Sequence, residues 1–90
     1  MKLIDSHCHL DNEQFAADRE AMIERAFAAG VEHMLTIGSG DGPPDLEAAI
    51  RIADKYPAIY ASVGVHPHDA AKATAETYPR LAELTKHNKV

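Results

Sequence analysis

Extended, apolar-rich stretches begin near positions 2, 31 and 58, and a fourth would begin near 89. Each interval of about thirty residues contains one stretch with apolar residues at helical spacing. A near-constant strand–helix period of this kind specifies parallel strands joined by right-handed crossovers. The strands read as Leu3–Ser6, Val31–Ile37 and Ala58–Val65, and Lys89-Val90 would open the fourth. Asp11–Ala17 reads as a loop. The spacing predicts helices from about Asp18 to Ala29, Asp45 to Tyr56 and Thr77 to His87. Asp18 is the candidate N-cap of the first helix, and Gly30 supplies the position that ends it.

A closed β/α barrel needs eight such units, so ninety residues reach only the fourth strand of one. The fold class expected is α/β: the first three βα units of a TIM (β/α)8 barrel, with parallel strands and helices on one side. Residues 1–90 then form an N-terminal, incomplete portion of a barrel domain. A chain this short buries only about 60–65% of its unfolded surface. Its unpaired strand edges make self-association possible, and no stable protein partner is expected.

Composition narrows the function classes. The chain is 46% hydrophobic and 26% charged, with a net charge of −5, which disfavours a general nucleic-acid-binding surface. A nucleic acid remains possible as a substrate, because a bound cation can meet a phosphate at an acidic site. No stretch approaches the roughly 20 apolar residues of a membrane span, and the N-terminus does not resemble a signal peptide. A cytoplasmic protein without membrane association is the expectation. The single cysteine, Cys8, has no partner for an internal disulfide and reads as a packed thiol.

Chemistry concentrates where strands end. The first strand runs out in Asp5-Ser6-His7-Cys8-His9-Leu10-Asp11, and the third in Gly64-Val65-His66-Pro67-His68. In an extended strand successive side chains alternate faces, so His7 and His9 share one face and Cys8 takes the other. Two imidazoles on one face can close on one cation, although a strand-end pair bonded to neighbouring loops has the same spelling. Four of the six histidines thus fall at the carboxyl ends of parallel strands, where β/α folds place their sites. His33 and His87 read as structural or solvent-facing, His87 favoured by a helix C-terminus. The loop Gly38-Ser39-Gly40-Asp41-Gly42 lacks the Gly-Lys-Ser/Thr ending of a P-loop and reads as a flexible rim connection. Ser6 has no nucleophile-elbow context.

Asp5-Ser6-His7-Cys8-His9-Leu10-Asp11, Leu35-Thr36-Ile37-Gly38 and Gly64-Val65-His66-Pro67-His68-Asp69 together resemble the TatD-type metal-dependent hydrolases, a deoxyribonuclease branch of the amidohydrolase-like barrels. The resemblance covers the whole chain in order. It implies hydrolysis of phosphodiester bonds in DNA, with water activated by divalent metal (Mg, Mn or Zn), two ions in a complete enzyme. His7 and His9 match metal ligands. His66 matches a catalytic histidine at the active-site mouth, contacting substrate phosphate or a metal-bound water. His68 is a further substrate-binding candidate or a buttress of the turn at Pro67. Asp5 and Asp11 are candidates to orient a ligand imidazole through its second nitrogen, with a turn or capping role the alternative for Asp11. The family's bridging glutamate, further histidines and late aspartate have no counterpart within the ninety residues. The chain alone is therefore expected to be inactive. Alternatives are a related barrel acting on amide, ester or lactone bonds, or a non-catalytic fragment that binds metal weakly.

Overall fold

The computed structural model describes residues 1–38 and 40–90. Three strands, β1 (Leu3–Cys8), β2 (Val31–Thr36) and β3 (Ile59–Ala61), form one parallel sheet in the order β1-β2-β3. Strands added sequentially in parallel require crossovers of one hand, which puts the connecting helices on one face of the sheet. Those helices are α1 (Arg19–Ala28) between β1 and β2, and α2 (Ala48–Ala53) between β2 and β3; α3 (Thr77–Leu84) comes after β3. This is the architecture expected of the first βα units of a TIM barrel.

One face of the sheet makes the core. Met34, Thr36, Ile59 and Ala61 alternate inward along β2 and β3 and are all buried. Ile23 of α1, four residues of α2 (Ala49, Ile50, Ile52 and Ala53) and Leu84 of α3 cover them in a single cluster. Tyr60 lies between the two inward residues of β3 and is exposed, as are Leu3 and Ile4 on the edge strand β1. Among the described residues β1 pairs with β2 alone, which leaves its other edge open.

Several boundaries differ from the sequence reading, each for a local reason. β1 runs two residues past Ser6, so His7 lies within the strand; the Ile37 N–H donates to the Cys8 carbonyl at 2.8 Å and extends the ladder. β3 stops at Ala61 because its ladder partner, Thr36, is the last residue of β2. α2 starts only at Ala48, since the Asp45 carboxylate accepts the Glu47 N–H and pairs with Arg51, turning the chain before the helix. It ends by tightening, with the Lys55 and Tyr56 N–H groups donating to carbonyls three residues back. α3 closes the same way at Lys86 and His87. Of two 3-10 turns, Glu13–Phe15 falls in the stretch that read as a loop, and Pro67–Lys72 lies between β3 and α3.

Asp18 occupies the N-cap position of α1, but its carboxylate makes no capping bond and faces Arg25 at 3.6 Å. Gly30 ends the α1 connection at φ +112°, where a Cβ would strike the Met1 carbonyl. Lys89-Val90 forms no strand, yet the Lys89 carbonyl accepts the Ala61 N–H at 2.8 Å. The Lys89 ammonium donates to the carbonyls of Tyr56, Pro57 and Ile59 and lies over the Tyr60 ring. His87 bridges back to Asp54 through Nε2, at 3.2 Å. These contacts fasten the segment after α3 to the start of β3.

Candidate metal centre at the end of β1

The end of β1 is built by alternation. Cys8 packs against the core cluster, and its thiol donates to the Leu35 carbonyl at 3.4 Å. Burial, reinforced by the carboxylates of Asp5 and Asp11, pushes that thiol up from 9.0 to about 11. A group so firmly protonated is a poor thiolate ligand or nucleophile. On either side of Cys8, His7 and His9 are exposed, with ring centroids 5.3 Å apart in an edge-on arrangement.

That separation fits a shared cation. A zinc–nitrogen bond of about 2.0–2.1 Å puts a ring centroid roughly 3.2 Å from the ion, and two such rings at a tetrahedral angle stand roughly 5.2 Å apart. Among the described residues, no set of three or more His, Cys, Asp or Glu side chains is arranged to hold a metal. Among the described residues the two imidazoles thus stand together without a third such side chain beside them.

Asp5 sits beside the pair, but its carboxylate accepts the backbone N–H of His7 at 3.1 Å rather than an imidazole N–H. Asp5, His7 and His9 line one cleft of about 540 Å³, shared with Met34 of β2 and walled by Phe15 and Met22. Asp11 lines a different cleft, with Arg19, Asp41, Asp45 and Arg51. A Cβ at Gly40 would lie 3.7 Å from its carboxylate.

His66 and His68 form a second pair, with centroids 4.6 Å apart and both residues exposed. His66 Nδ1 accepts the His68 backbone N–H at 3.0 Å, which caps the 3-10 turn Pro67–Lys72. In neutral His66 the proton therefore belongs on Nε2, leaving that nitrogen as a donor. The two pairs stand at the same end of the sheet but on β1 and after β3. Two strand spacings, about 10 Å, separate those strands. Among the described residues no hydrogen bond or ring contact joins them. His33 is exposed on β2, away from both. Of the glycine-rich rim loop, Ser39 lies outside the described residues; Gly40 and Gly42 have positive φ.

The sequence reading passed over the groups that hold this rim. Thr36, completely buried at the end of β2, accepts the Leu10 N–H through Oγ1 at 3.2 Å. One strand further on, Ser62 Oγ accepts the Gly38 N–H at 3.2 Å. Each hydroxyl thus ties down the exit of the preceding strand. Arg19, the first residue of α1, donates Nε to the Leu10 carbonyl at 2.7 Å and Nη2 to the carbonyls of Asn12 and Asp11. A hydroxyl among apolar strand residues was the available signal for Thr36; Arg19 gave none.

The sequence matches the family described as TatD related DNase over residues 4–90. It is 40% identical, over 98% of its length, to the protein named "Uncharacterized metal-dependent hydrolase YabD" of Bacillus subtilis. It is 36% and 39% identical to proteins named "3'-5' ssDNA/RNA exonuclease TatD" of Enterobacter lignolyticus and Salmonella typhimurium, over 93% and 98% of this chain. The chain spans about a third of the length of these relatives: 34%, 32% and 33%. A parallel βα sheet whose first strand ends in paired histidines, matched along nearly its whole length, belongs to the TatD family of metal-dependent hydrolases.

Proposed function

We propose that these ninety residues supply the first three βα units of a barrel that hydrolyses phosphodiester bonds of DNA with the help of divalent metal. The observation that carries this reading is the His7–His9 pair, two exposed imidazoles 5.3 Å apart at the carboxyl end of a parallel strand. His7 and His9 are the ligands this chain provides. A divalent cation held there supplies Lewis acidity, which polarises a phosphoryl oxygen and makes water a better nucleophile at neutral pH. Magnesium, manganese and zinc all suit a site completed by further oxygen or nitrogen donors.

The chain's own groups have separable tasks. Asp5 steadies His7 through its backbone amide, whereas the Asp11 side chain faces the neighbouring cleft. His66, whose Nδ1 is occupied, presents Nε2–H as a hydrogen-bond donor to a phosphate oxygen. His68 holds that tautomer through its amide and stands ready to touch the substrate beside it. The names of the exonuclease relatives extend the substrate class to single-stranded DNA or RNA degraded from the 3' end. No helix among the described residues is long and apolar enough to cross a membrane.

Calorimetric titration of the ninety-residue chain with zinc or manganese tests the assignment. Weak binding that disappears in the His7→Ala/His9→Ala variant is expected. Affinity unchanged by the double substitution overturns it. The same chain, supplied with metal and single-stranded DNA, is expected to show no turnover, because two protein ligands are fewer than catalytic sites employ.

A further inference from the structure

We propose that Arg19 is a positioning residue for the metal pair, acting on His9 through the backbone of residues 10–12; the inference rests on His7 and His9 being ligands. Cys8 is fixed by its place in β1 and by its packed thiol. His9 lies one residue beyond the strand, where no ladder bond sets its direction. Its position depends on how the next three residues are held. The Leu10 N–H goes to Thr36 and the Leu10 carbonyl goes to Arg19 Nε at 2.7 Å. The same guanidinium reaches Asn12 O at 3.1 Å and Asp11 O at 3.4 Å. The Asn12 N–H returns to the His9 carbonyl at 3.2 Å. The turn that leaves His9 is thus gripped by one cation at three successive carbonyls.

The choice of residue matters. Among the described residues Arg19 forms no ion pair with a carboxylate, although Asp11, Glu13 and Asp45 line the same cleft. Its planar fork is spent on neutral carbonyls whose geometry it matches, and a lysine ammonium offers no such fixed array. Arg19 also opens α1, so the turn beside the histidines is referred to the core through Ile23 of the same helix. Outer contacts that orient a ligand are commonly worth about 10–100-fold in metal affinity.

The decisive measurement needs no metal. In the metal-free chain, NMR coupling constants report whether the His9 side chain holds one χ1 rotamer. Wild type is expected to hold one, and Arg19→Met to average among several while the amide spectrum stays folded. Arg19→Lys, which keeps the charge and the stem, is expected to lie between them and serves if the methionine variant unfolds. A fixed His9 rotamer in a folded Arg19 variant overturns the proposal. Zinc titration then separates the two readings. If the histidines bind metal, Arg19→Met weakens affinity about 10–100-fold, and adds nothing in a His9→Ala background. A loss of equal size in that background overturns action through His9. Zinc affinity indifferent to His7 and His9 refutes the ligand assignment alone, because the rotamer measurement still decides what Arg19 does.

Discussion

Replacing Thr36 by valine isolates the value of a single hydroxyl at the rim. The two side chains have nearly the same shape, and Thr36 is wholly buried, so packing changes little. What changes is the Leu10 N–H, which has the Thr36 hydroxyl as its acceptor at 3.2 Å on a residue only 7% exposed. A buried donor left without a partner costs about 1–3 kcal/mol. Whole domains are stable by only about 0.05–0.15 kcal/mol per residue, so on ninety residues such a loss is a substantial fraction. Thr36→Ser is the control: it keeps the acceptor and removes one buried methyl, worth about 1 kcal/mol. Urea unfolding should show the midpoint falling in both variants at unchanged slope, further for valine. Amide exchange distinguishes them qualitatively, with Leu10 protected in the serine variant and fast in the valine variant. A valine variant within about 0.5 kcal/mol of wild type, its Leu10 amide still protected, would refute the account of the rim.

Cys8 should react with alkylating reagents far more slowly than a free thiol at pH 8, because its proton is held until about pH 11. The unfolded chain gives up that proton nearer pH 9, so this contribution to stability is complete below pH 9 and falls as pH rises towards 11; unfolding curves across that range check the sign. Gly38→Ala should destabilise strongly, since a Cβ there would collide with the Ser62 backbone carbonyl; a thermal midpoint equal to wild type contradicts this close approach. Lys89→Met removes the donor to three carbonyls and should cost about 1–2 kcal/mol, below the value for fully buried charge-assisted bonds because Lys89 is only half-buried. Chemical denaturation measures it.

The parallel topology was legible because it is written in a period: three apolar stretches at nearly equal intervals admit few other arrangements. The pairing of His7 with His9 was legible for the same kind of reason, since alternation in a strand is geometry rather than context. Boundaries were not. The end of β3 depends on where its neighbour β2 turns away, a fact about another segment. The start of α2 depends on Asp45 choosing a turn bond over a helical one. The reading of Asp5 as a partner for an imidazole met similar competition, as its carboxylate is already engaged by the His7 amide. Arg19 was invisible because a guanidinium that binds carbonyls leaves no complementary charge in the sequence to pair it with.

The hydroxyls of Thr36 and Ser62 set an order in time as well as a geometry. Each fastens the exit of the strand that precedes it, so the hydroxyl tie on the turn after β1 cannot form until residue 36 has been made and docked, nor that on the turn after β2 until residue 62. Arg19 is closer in sequence and can grip the first turn sooner. A chain emerging from the ribosome would therefore stiffen its rim one unit behind its sheet. Once folded, the amides of Leu10 and Gly38 should exchange with solvent only when neighbouring strands separate, at the slow rate of the sheet and not at the fast rate usual for loops.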